Sequence, residues 1–339
     1  MEKSLPIPKN FSLSLLRSET ARRLLAFGAL IILIIAFSLL SENFLRFNNV
    51  IGIFIATAVN GVLALGVTFV IITGGIDLSI GTVMTFSAVM TGMFIAKWDM
   101  PIAVGVMGGI LTGTLAGFTN GVLISWMRVP PFVATLGMMY VAKGLSLILS
   151  ELRPIYFYDT PLFREIAMGN HFNIFGQSFD ITYRGYDIPN AIWILFAAAI
   201  VGSFLLSKTI LGRYTFALGS NAEATRLSGV KVNIWKTAVY TVCGTFAGLG
   251  GVLMASRLNS AQPALGQGYE LDAIAAVVIG GTALTGGEGT ILGTIIGAFV
   301  MSVLANGLRI LSVPQEWQIV VTGAILVVVV YIDIVRRRQ

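Results

Sequence analysis

The sequence predicts an all-α fold, a polytopic transmembrane helical bundle of about ten spans. Hydrophobic residues make up 56% of the 339 residues and charged residues only 11%. A soluble domain carries about 25% charged residues. Several apolar runs also reach the roughly 20 residues that a spanning helix needs, and they lack the alternating pattern of membrane β-strands. The chain is therefore predicted to lie in a membrane.

Short connections separate most of the predicted spans. A polar segment, 1–23, precedes the first span, and residues 24–339 are predicted to form a single transmembrane domain. The segment 272–285 has only fourteen residues, so we expect a broken or re-entrant helix there. The ten predicted spans are 24–40, 50–73, 79–96, 101–124, 131–150, 189–206, 234–256, 272–285, 290–308 and 315–332.

The distribution of lysine and arginine predicts the orientation of the chain. If the N-terminus is cytoplasmic and the spans alternate, fourteen Lys and Arg residues lie inside and seven outside, with Lys143 within a span. Cytoplasmic connections carry the excess of these residues, so both termini are predicted to be cytoplasmic. The long connection 151–188 is then an external loop and 207–233 a cytoplasmic loop. Because the basic residues lie near span ends, the net charge of +6 does not indicate nucleic-acid binding.

Two similar polar segments interrupt the apolar sequence. TGGIDLSIGT occupies 73–82 and TGGEGTILGT occupies 285–294, with Thr-Gly-Gly and Gly-Thr at the same spacing. Glycine pairs break helices, and unwound backbone at membrane depth is tolerated only against protein or a water-filled cavity. Broken segments in matching positions of two halves are typical of a transport pathway. We therefore expect the glycines Gly74, Gly75, Gly286 and Gly287 to form such breaks.

Asp77 lies within the first of these segments. An acid at the bilayer centre costs about 2.5–3.5 kcal/mol on insertion scales, so its side chain needs a cavity, a partner or a helix N-terminus. Asp77 or Ser79 is placed to cap the following span. A structural cap and a direct contribution to a pathway both remain open for Asp77.

Glycines recur every fourth residue along the span 101–124. Gly105, Gly109, Gly113, Gly117 and Gly121 form one smooth ridge on a helix. Such a ridge lets a second helix pack at close range. It predicts tight packing and indicates nothing about a substrate.

Neutral polar side chains are scattered within or beside the spans. Amides and hydroxyls offer hydrogen bonds to an uncharged polyol without fixed charge, and they serve equally as interhelical hydrogen bonds worth roughly 0.6–2 kcal/mol each. The sequence leaves both roles open for Asn60, Thr73, Asn120, Thr135 and Gln262.

The cytoplasmic segment 207–233 contains a predicted short helix. Residues 221–227 suit a helix that is capped by Ser220 or Asn221 and ends at Gly229. A helix bounded in this way is more ordered than a linker requires, so we expect it to dock on a soluble partner. The candidate docking residues are Ser220, Asn221, Glu223, Ala224, Arg226 and Gly229.

Several motifs of enzymes are missing. The chain has no phosphate-binding G-x-x-x-x-G-K-[ST] motif, so it cannot bind ATP through such a loop. It has one cysteine and one histidine, which excludes an internal disulfide and a Cys/His metal site. We expect neither an enzyme, nor a catalytic residue, nor a bound metal.

Longer stretches of the chain resemble a known family. TGGIDLSIG at 73–81, PPFVATLGMM at 130–139, ALGSNAEATRLSGVKV at 217–232, the block 260–294 and NGLRILSV at 306–313 resemble the permease subunits of bacterial sugar ABC importers. The similarity is strongest to ribose-type permeases. It implies an inner-membrane protein that imports a monosaccharide, with ribose as the leading substrate, by alternating access.

The resemblance also implies partners. These are a separate ABC ATPase that binds ATP and Mg, a periplasmic or lipid-anchored sugar-binding protein and a second permease copy, with no cofactor in this chain. The helix near Ser220–Gly229 would be the coupling helix that docks on the ATPase. The candidate pathway residues are Asn60, Thr73, Gly74, Gly75, Asp77, Asn120, Phe132, Thr135, Gln262, Gly286 and Gly287.

A second functional class remains as an alternative, an ion-coupled secondary transporter of a small polar solute. Asp77, Glu270 and Asp272 would then be proton or sodium sites. All three lie near predicted span ends, and this alternative leaves the cytoplasmic helix unexplained.

Overall fold

The computed structural model describes residues 19–174, 177–180, 182–183 and 186–338. Most of the predicted cytoplasmic segment 1–23 lies outside these residues. The helices are Glu19–Leu40 (α1), Phe47–Ile72 (α2), Ile80–Gly92 (α3), Ile102–Ser125 (α4), Pro131–Leu149 (α5), Pro161–Met168 (α6), Asn190–Lys208 (α7), Ile210–Leu227 (α8), Val232–Leu258 (α9), Tyr269–Ile279 (α10), Ile291–Ile310 (α11) and Gln315–Arg338 (α12).

The all-α prediction is confirmed. Within the described residues, seven helices are long and apolar enough to cross a membrane, and Leu24–Leu40 and Gln315–Val328 are shorter apolar helices. One of the seven is Ile80–Lys97, in which α3 continues into a π-helical turn at Met93–Lys97. The predicted short segment 272–285 corresponds to α10, which has 11 residues. At a rise of 1.5 Å per residue this helix is about 16 Å long, too short to cross a bilayer of about 30 Å. The sequence therefore predicts both the membrane-spanning helices and the short helix α10.

Short strands accompany the helices at the polar segment 151–188. Ile155–Tyr156 (β1) pairs antiparallel with Ser260–Ala261 (β6). The segment also contains two small hairpins, formed by His171–Ile174 (β2) with Gln177–Asp180 (β3) and by Thr182–Tyr183 (β4) with Tyr186–Asp187 (β5).

The described part of the predicted external loop forms a folded cap at one end of the bundle. Phe157 and Phe163 are almost completely buried, with ring centroids 4.2 Å apart. The Ser256 hydroxyl near the end of α9 donates to the Phe163 carbonyl at 2.7 Å and accepts from the Ala167 amide at 2.9 Å. The loop is therefore attached to the same end of the bundle as the C-terminal end of α9.

Helix α2 is the central helix of the bundle. Every residue from Gly61 to Ile72 is buried, and α2 packs against α7, α9, α10 and α11. A helix that is apolar all round suits such a position because no face has to meet water. The Thr68 hydroxyl bonds to the Ala64 carbonyl at 2.7 Å and lies 2.7 Å from the Thr294 hydroxyl of α11.

The glycine ridge of α4 packs against α9, as the sequence predicts. A Cβ atom on Gly113 would lie 2.7 Å from the Gly248 Cα atom, and one on Gly117 would lie 2.8 Å from the Gly244 Cα atom. Real Cβ atoms do not approach backbone so closely, so only glycine permits this helix contact.

The predicted cytoplasmic loop 207–233 is mostly helical, which differs from the expected loop with a single short helix. After α7 ends at Lys208, α8 begins at Ile210 and runs to a bend at Asn221, where φ is −163° and ψ is 99°. Its first part is held against the bundle because Thr215 and Leu218 are buried. The segment after the bend is the predicted short helix.

Candidate transport and coupling site

The two TGG segments touch each other at one end of the bundle. The first follows α2 and the second precedes α11. The Gly287 amide donates a hydrogen bond to the Ile72 carbonyl at 2.8 Å. A Cβ atom on Gly286 would lie 2.9 Å from the Gly74 nitrogen. The similar sequences thus form two helix breaks whose backbones pack together.

Positive φ angles explain why these positions are glycines. The φ angle is +72° at Gly74, +87° at Gly286 and +80° at Gly287. A residue with a Cβ atom pays roughly 1–2 kcal/mol for this left-handed conformation. Gly75 lacks a positive φ, but a Cβ atom there would lie 2.6 Å from the Tyr240 hydroxyl of α9.

The bend of α8 lies directly on this paired break. A Cβ atom on Gly219 would overlap the Ile72 carbonyl oxygen and would lie 3.0 Å from its carbon. A Cβ atom on Gly287 would lie 3.0 Å from the Ser220 hydroxyl. Gly219 is therefore necessary for the contact, although the sequence analysis did not select it. Three chain segments, from α2, α8 and the α10–α11 connection, meet here; we name this contact the inner joint.

The helix after the bend has the predicted caps. The Asn221 Oδ1 atom accepts from the Ala224 amide at 2.9 Å, so Asn221 rather than Ser220 is the N-cap. The helix ends where Gly229, with a φ of +85°, donates to the Arg226 carbonyl at 3.0 Å. Thr225 anchors this short helix because its hydroxyl bonds to the Ala217 carbonyl on the other side of the bend at 3.0 Å.

The short helix presents a mixed polar and apolar face to solvent. Arg226 forms two hydrogen bonds to Glu223, at 3.0 and 2.6 Å. The Arg226 guanidinium lowers the pKa of Glu223, and the Glu223 carboxylate raises the pKa of Arg226. Both groups are thus charged at neutral pH. Leu227 beside them is 74% exposed, so the short helix presents an ion pair and an apolar side chain to solvent. The sequence analysis did not select Leu227.

Asp77 is part of a buried polar cluster above the inner joint. Its Oδ1 atom accepts from the Ser79 amide at 2.9 Å and from the Ser79 hydroxyl at 2.6 Å. The Asn120 amide of α4 donates to the same Ser79 hydroxyl at 2.9 Å, and the Cys243 thiol of α9 donates to Asp77 Oδ2 at 3.6 Å. Ser79 does occupy the N-cap position of α3, but its side chain makes no capping hydrogen bond. Asp77 instead holds the turn that precedes the helix.

The remaining candidate pathway residues are dispersed. Thr135 is completely buried and bonds to the Pro131 carbonyl, whereas Phe132 beside it is 55% exposed. Gln262 donates to the Ser260 hydroxyl at 3.0 Å. Thr73 donates to the Val70 carbonyl at 2.7 Å at the end of α2. Asn60 lies on α2, partly buried, with its side-chain oxygen fully buried. A pathway role for these residues stays a prediction.

Comparison with known proteins identifies the family. Residues 49–330 match the family described as the permease component of a branched-chain amino acid transport system. The chain is 39% identical over 308 residues to the ribose import permease protein of Escherichia coli strain K12, covering 90% of this chain and 91% of the relative. The chain belongs to the permease family of sugar ABC importers. It is a transport subunit, not an enzyme, and nucleotide is bound by the partner ATPase rather than by the permease.

Further relatives are named for ribose and for a different sugar, allose. The ribose import permease protein of Bacillus subtilis strain 168 is 40% identical over 308 residues, 91% of each chain. The D-allose transport system permease protein of Escherichia coli strain K12 is 34% identical over 303 residues, 89% of this chain and 88% of the relative. No solved structure matches the chain significantly. The relatives and the apolar helices agree on a multi-pass protein of the inner membrane.

Proposed function

We propose that this permease is the transmembrane subunit of an ATP-driven ribose importer that works by alternating access. The observation that carries the proposal is the inner joint, where the bend before the short α8 helix contacts both the end of α2 at Ile72 and the second TGG segment at Gly287. A displacement of that short helix acts at once on the end of α2 and on the α10–α11 connection. These are backbone contacts, and packed backbone transmits a displacement instead of absorbing it.

The short α8 helix is the proposed coupling helix. Its Glu223–Arg226 pair and exposed Leu227 form the solvent-exposed surface that we propose docks on a soluble subunit. The Asn221 cap and the Thr225 anchor fix this surface relative to the bend. A force from a docked ABC ATPase would therefore reach the inner joint rather than dissipate in a flexible loop.

Ribose is the proposed substrate because ribose import permeases are 39–40% identical to this chain over about nine-tenths of its length. The relatives for allose and fructose are 34% and 33% identical. A sugar-binding protein would deliver ribose to the external end of the bundle, where the segment 151–188 is folded. The permease itself then needs only a weakly binding neutral path.

The proposed assembly contains two permease copies with both termini in the cytoplasm. Fourteen Lys and Arg residues inside against seven outside support this orientation. The positions of the connections support it as well, because β1 pairs with β6 at one end while the end of α2 and the second TGG segment meet α8 at the other. These are the opposite ends that alternating spans require.

Radiolabelled ribose uptake tests the proposal in cells that lack their own pentose importers. Uptake should require the cognate ATPase and should disappear when Glu223 and Arg226 are both replaced by alanine. The control replaces Lys208 and Arg213, exposed charges elsewhere in the same cytoplasmic segment, and should retain uptake. Uptake that needs no ATPase and stops when the proton gradient is dissipated would establish the ion-coupled alternative.

A further inference from the structure

Residues 262–268 form a non-helical segment that descends into the membrane. The segment follows β6 and leads to α10. At its upper end, a Cβ atom on Gly92 would lie 3.3 Å from the Ala261 Cβ atom. Lower down, the Thr85 hydroxyl donates to the Leu265 carbonyl at 2.9 Å, and Gly266 packs against Gly81.

The depth of this segment follows from its contacts with α3. Gly81 precedes Gly92 by eleven residues of α3. At 1.5 Å per residue the contact with Gly81 lies about 16 Å below the contact at Gly92. Gln267, which follows Gly266, is therefore near the middle of the bilayer, which has a hydrocarbon core about 30 Å thick.

Lys143 reaches the same depth from a different helix. Its ammonium donates to the Gln267 Oε1 atom at 2.8 Å. Lys143 lies on α5, seven residues before Ser150, so its Cα atom is about 10 Å below that end of the helix. Helical side chains point towards the N-terminus, which carries the ammonium several ångströms deeper. The two estimates of depth agree.

The pair lies on the open surface of the single chain. Gln267 is exposed and stands between two glycines with φ angles of +94° at Gly266 and +98° at Gly268. A Cβ atom would meet nothing within 4 Å at Gly268, nor at Gly137 and Gly144 of α5. The neighbouring surface is therefore smooth and unfilled.

Lipid is an unsuitable environment for this surface. Non-helical backbone at membrane depth is tolerated only against protein or beside a water-filled cavity. A lysine within a span costs about 2.5–3.5 kcal/mol on insertion scales and so faces a cavity or a partner. The backbone of 262–268 and the charge of Lys143 are separate observations, and they require the same environment.

We propose that Lys143 and Gln267 line the water-filled pathway and hydrogen-bond the hydroxyl groups of a monosaccharide in transit. This inference rests on the proposed function. The lysine ammonium has three donors and uses one on Gln267, while the glutamine amide carries two N–H donors of its own. The pair therefore presents donors to a neutral polyol at mid-membrane. It is a specificity-determining pair, and neither residue is a candidate of the sequence analysis.

Cysteine labelling in membrane vesicles tests the water contact. Gln267→Cys should react with a membrane-impermeant charged thiosulfonate at least about tenfold faster than Ile200→Cys, because only a thiolate in water reacts. Ile200 is the matched control, since it lies mid-span on α7 and is 70% exposed on the chain. The unmodified chain has a single, buried cysteine, Cys243, and should remain unlabelled. Equal slow labelling of both variants would overturn the proposal.

Transport selectivity tests the role of the lysine. The ratio of ribose to allose uptake should change at least about threefold in Lys143→Met and return towards the original value in Lys143→Arg, which keeps the charged donors. Lys97→Met, at the outer end beside Glu151, should leave the ratio unchanged. If Lys143→Met lowers ribose uptake and allose uptake equally, the pair serves only to hold α5 against the segment 262–268. That result would overturn its role in specificity.

The two tests separate this inference from the proposed function. A chain that transports no monosaccharide contradicts the proposed function, while fast labelling of Gln267→Cys would still place the residue in water. If Lys143→Met does not reach the membrane, labelling of Gln267→Cys still decides whether the pair lies in water.

Discussion

Gly219→Ala should uncouple transport while the permease remains in the membrane. The added methyl group would overlap the Ile72 carbonyl oxygen, which already accepts the Gly287 amide at 2.8 Å. Neither neighbour is a flexible side chain, so backbone has to move. Overpacking of this kind costs about 1–3 kcal/mol and a lost hydrogen bond about 1 kcal/mol. The inner joint would thus lose about 2–4 kcal/mol.

This cost sets the size of the expected effect. Because each 1.4 kcal/mol corresponds to a factor of about ten, the initial rate of ATP-dependent ribose uptake should fall at least about tenfold. The assay measures uptake together with the amount of permease and ATPase recovered from the membrane. Gly28→Ala is the matched control, since a Cβ atom there meets nothing within 4 Å. Normal uptake by Gly219→Ala at a normal membrane level would refute a transmitting role for the inner joint.

Other substitutions test the same region and the packing around it. Gly75→Val and Gly287→Val should abolish uptake but not membrane insertion, because a side chain at either position strains the paired breaks. Uptake assays and immunoblots of the membrane fraction measure the two outcomes. Gly117→Leu should destabilise the α4–α9 contact by about 1–3 kcal/mol or more and lower the thermal unfolding midpoint in detergent, unlike Thr119→Leu on the exposed face of α4. Asp77→Asn keeps the acceptor that binds Ser79, so uptake should remain within about threefold of the original rate; complete loss would favour the ion-coupled alternative.

Local features of the sequence predicted much of the fold. Long apolar runs must be helices in lipid, so the spans follow from hydropathy alone. The glycine ridge predicted a close helix contact because a four-residue spacing keeps one face smooth. The Asn221 cap follows from a local hydrogen bond between the side chain and the amide three residues later.

Contacts between distant segments could not be predicted in this way. The Ser79 hydroxyl is not a helix cap because Asp77 and Asn120 already bind it, and Asn120 lies 41 residues away. The first part of α8 has no clear apolar periodicity and is helical because Thr215 and Leu218 are buried against the bundle. The sequence places Lys143 within a predicted span, but it does not predict the hydrogen bond to Gln267, which is 124 residues away.

Helix α10 connects the inner joint to the Lys143–Gln267 pair. It begins one residue after Gly268 and ends at Ile279, before the second TGG segment. A Cβ atom on Gly280 would lie 2.7 Å from the Thr294 nitrogen, and one on Gly297 would lie 2.8 Å from the Ala276 carbonyl carbon. Backbone contact this close makes α10 and the start of α11 move together.

Because α10 is short, it does not extend to the outer surface of the membrane. A helix that crossed the whole bilayer would carry a displacement at the inner joint to the outer surface. At about 16 Å, α10 instead begins at mid-membrane, where the segment 262–268 ends. Because Gly268 has a φ of +98° and a Cβ atom there would meet nothing within 4 Å, the end of this segment next to α10 can reorient the glutamine with little steric penalty. A displacement of the short α8 helix would therefore change the pathway lining at Gln267 and leave the folded external cap in position.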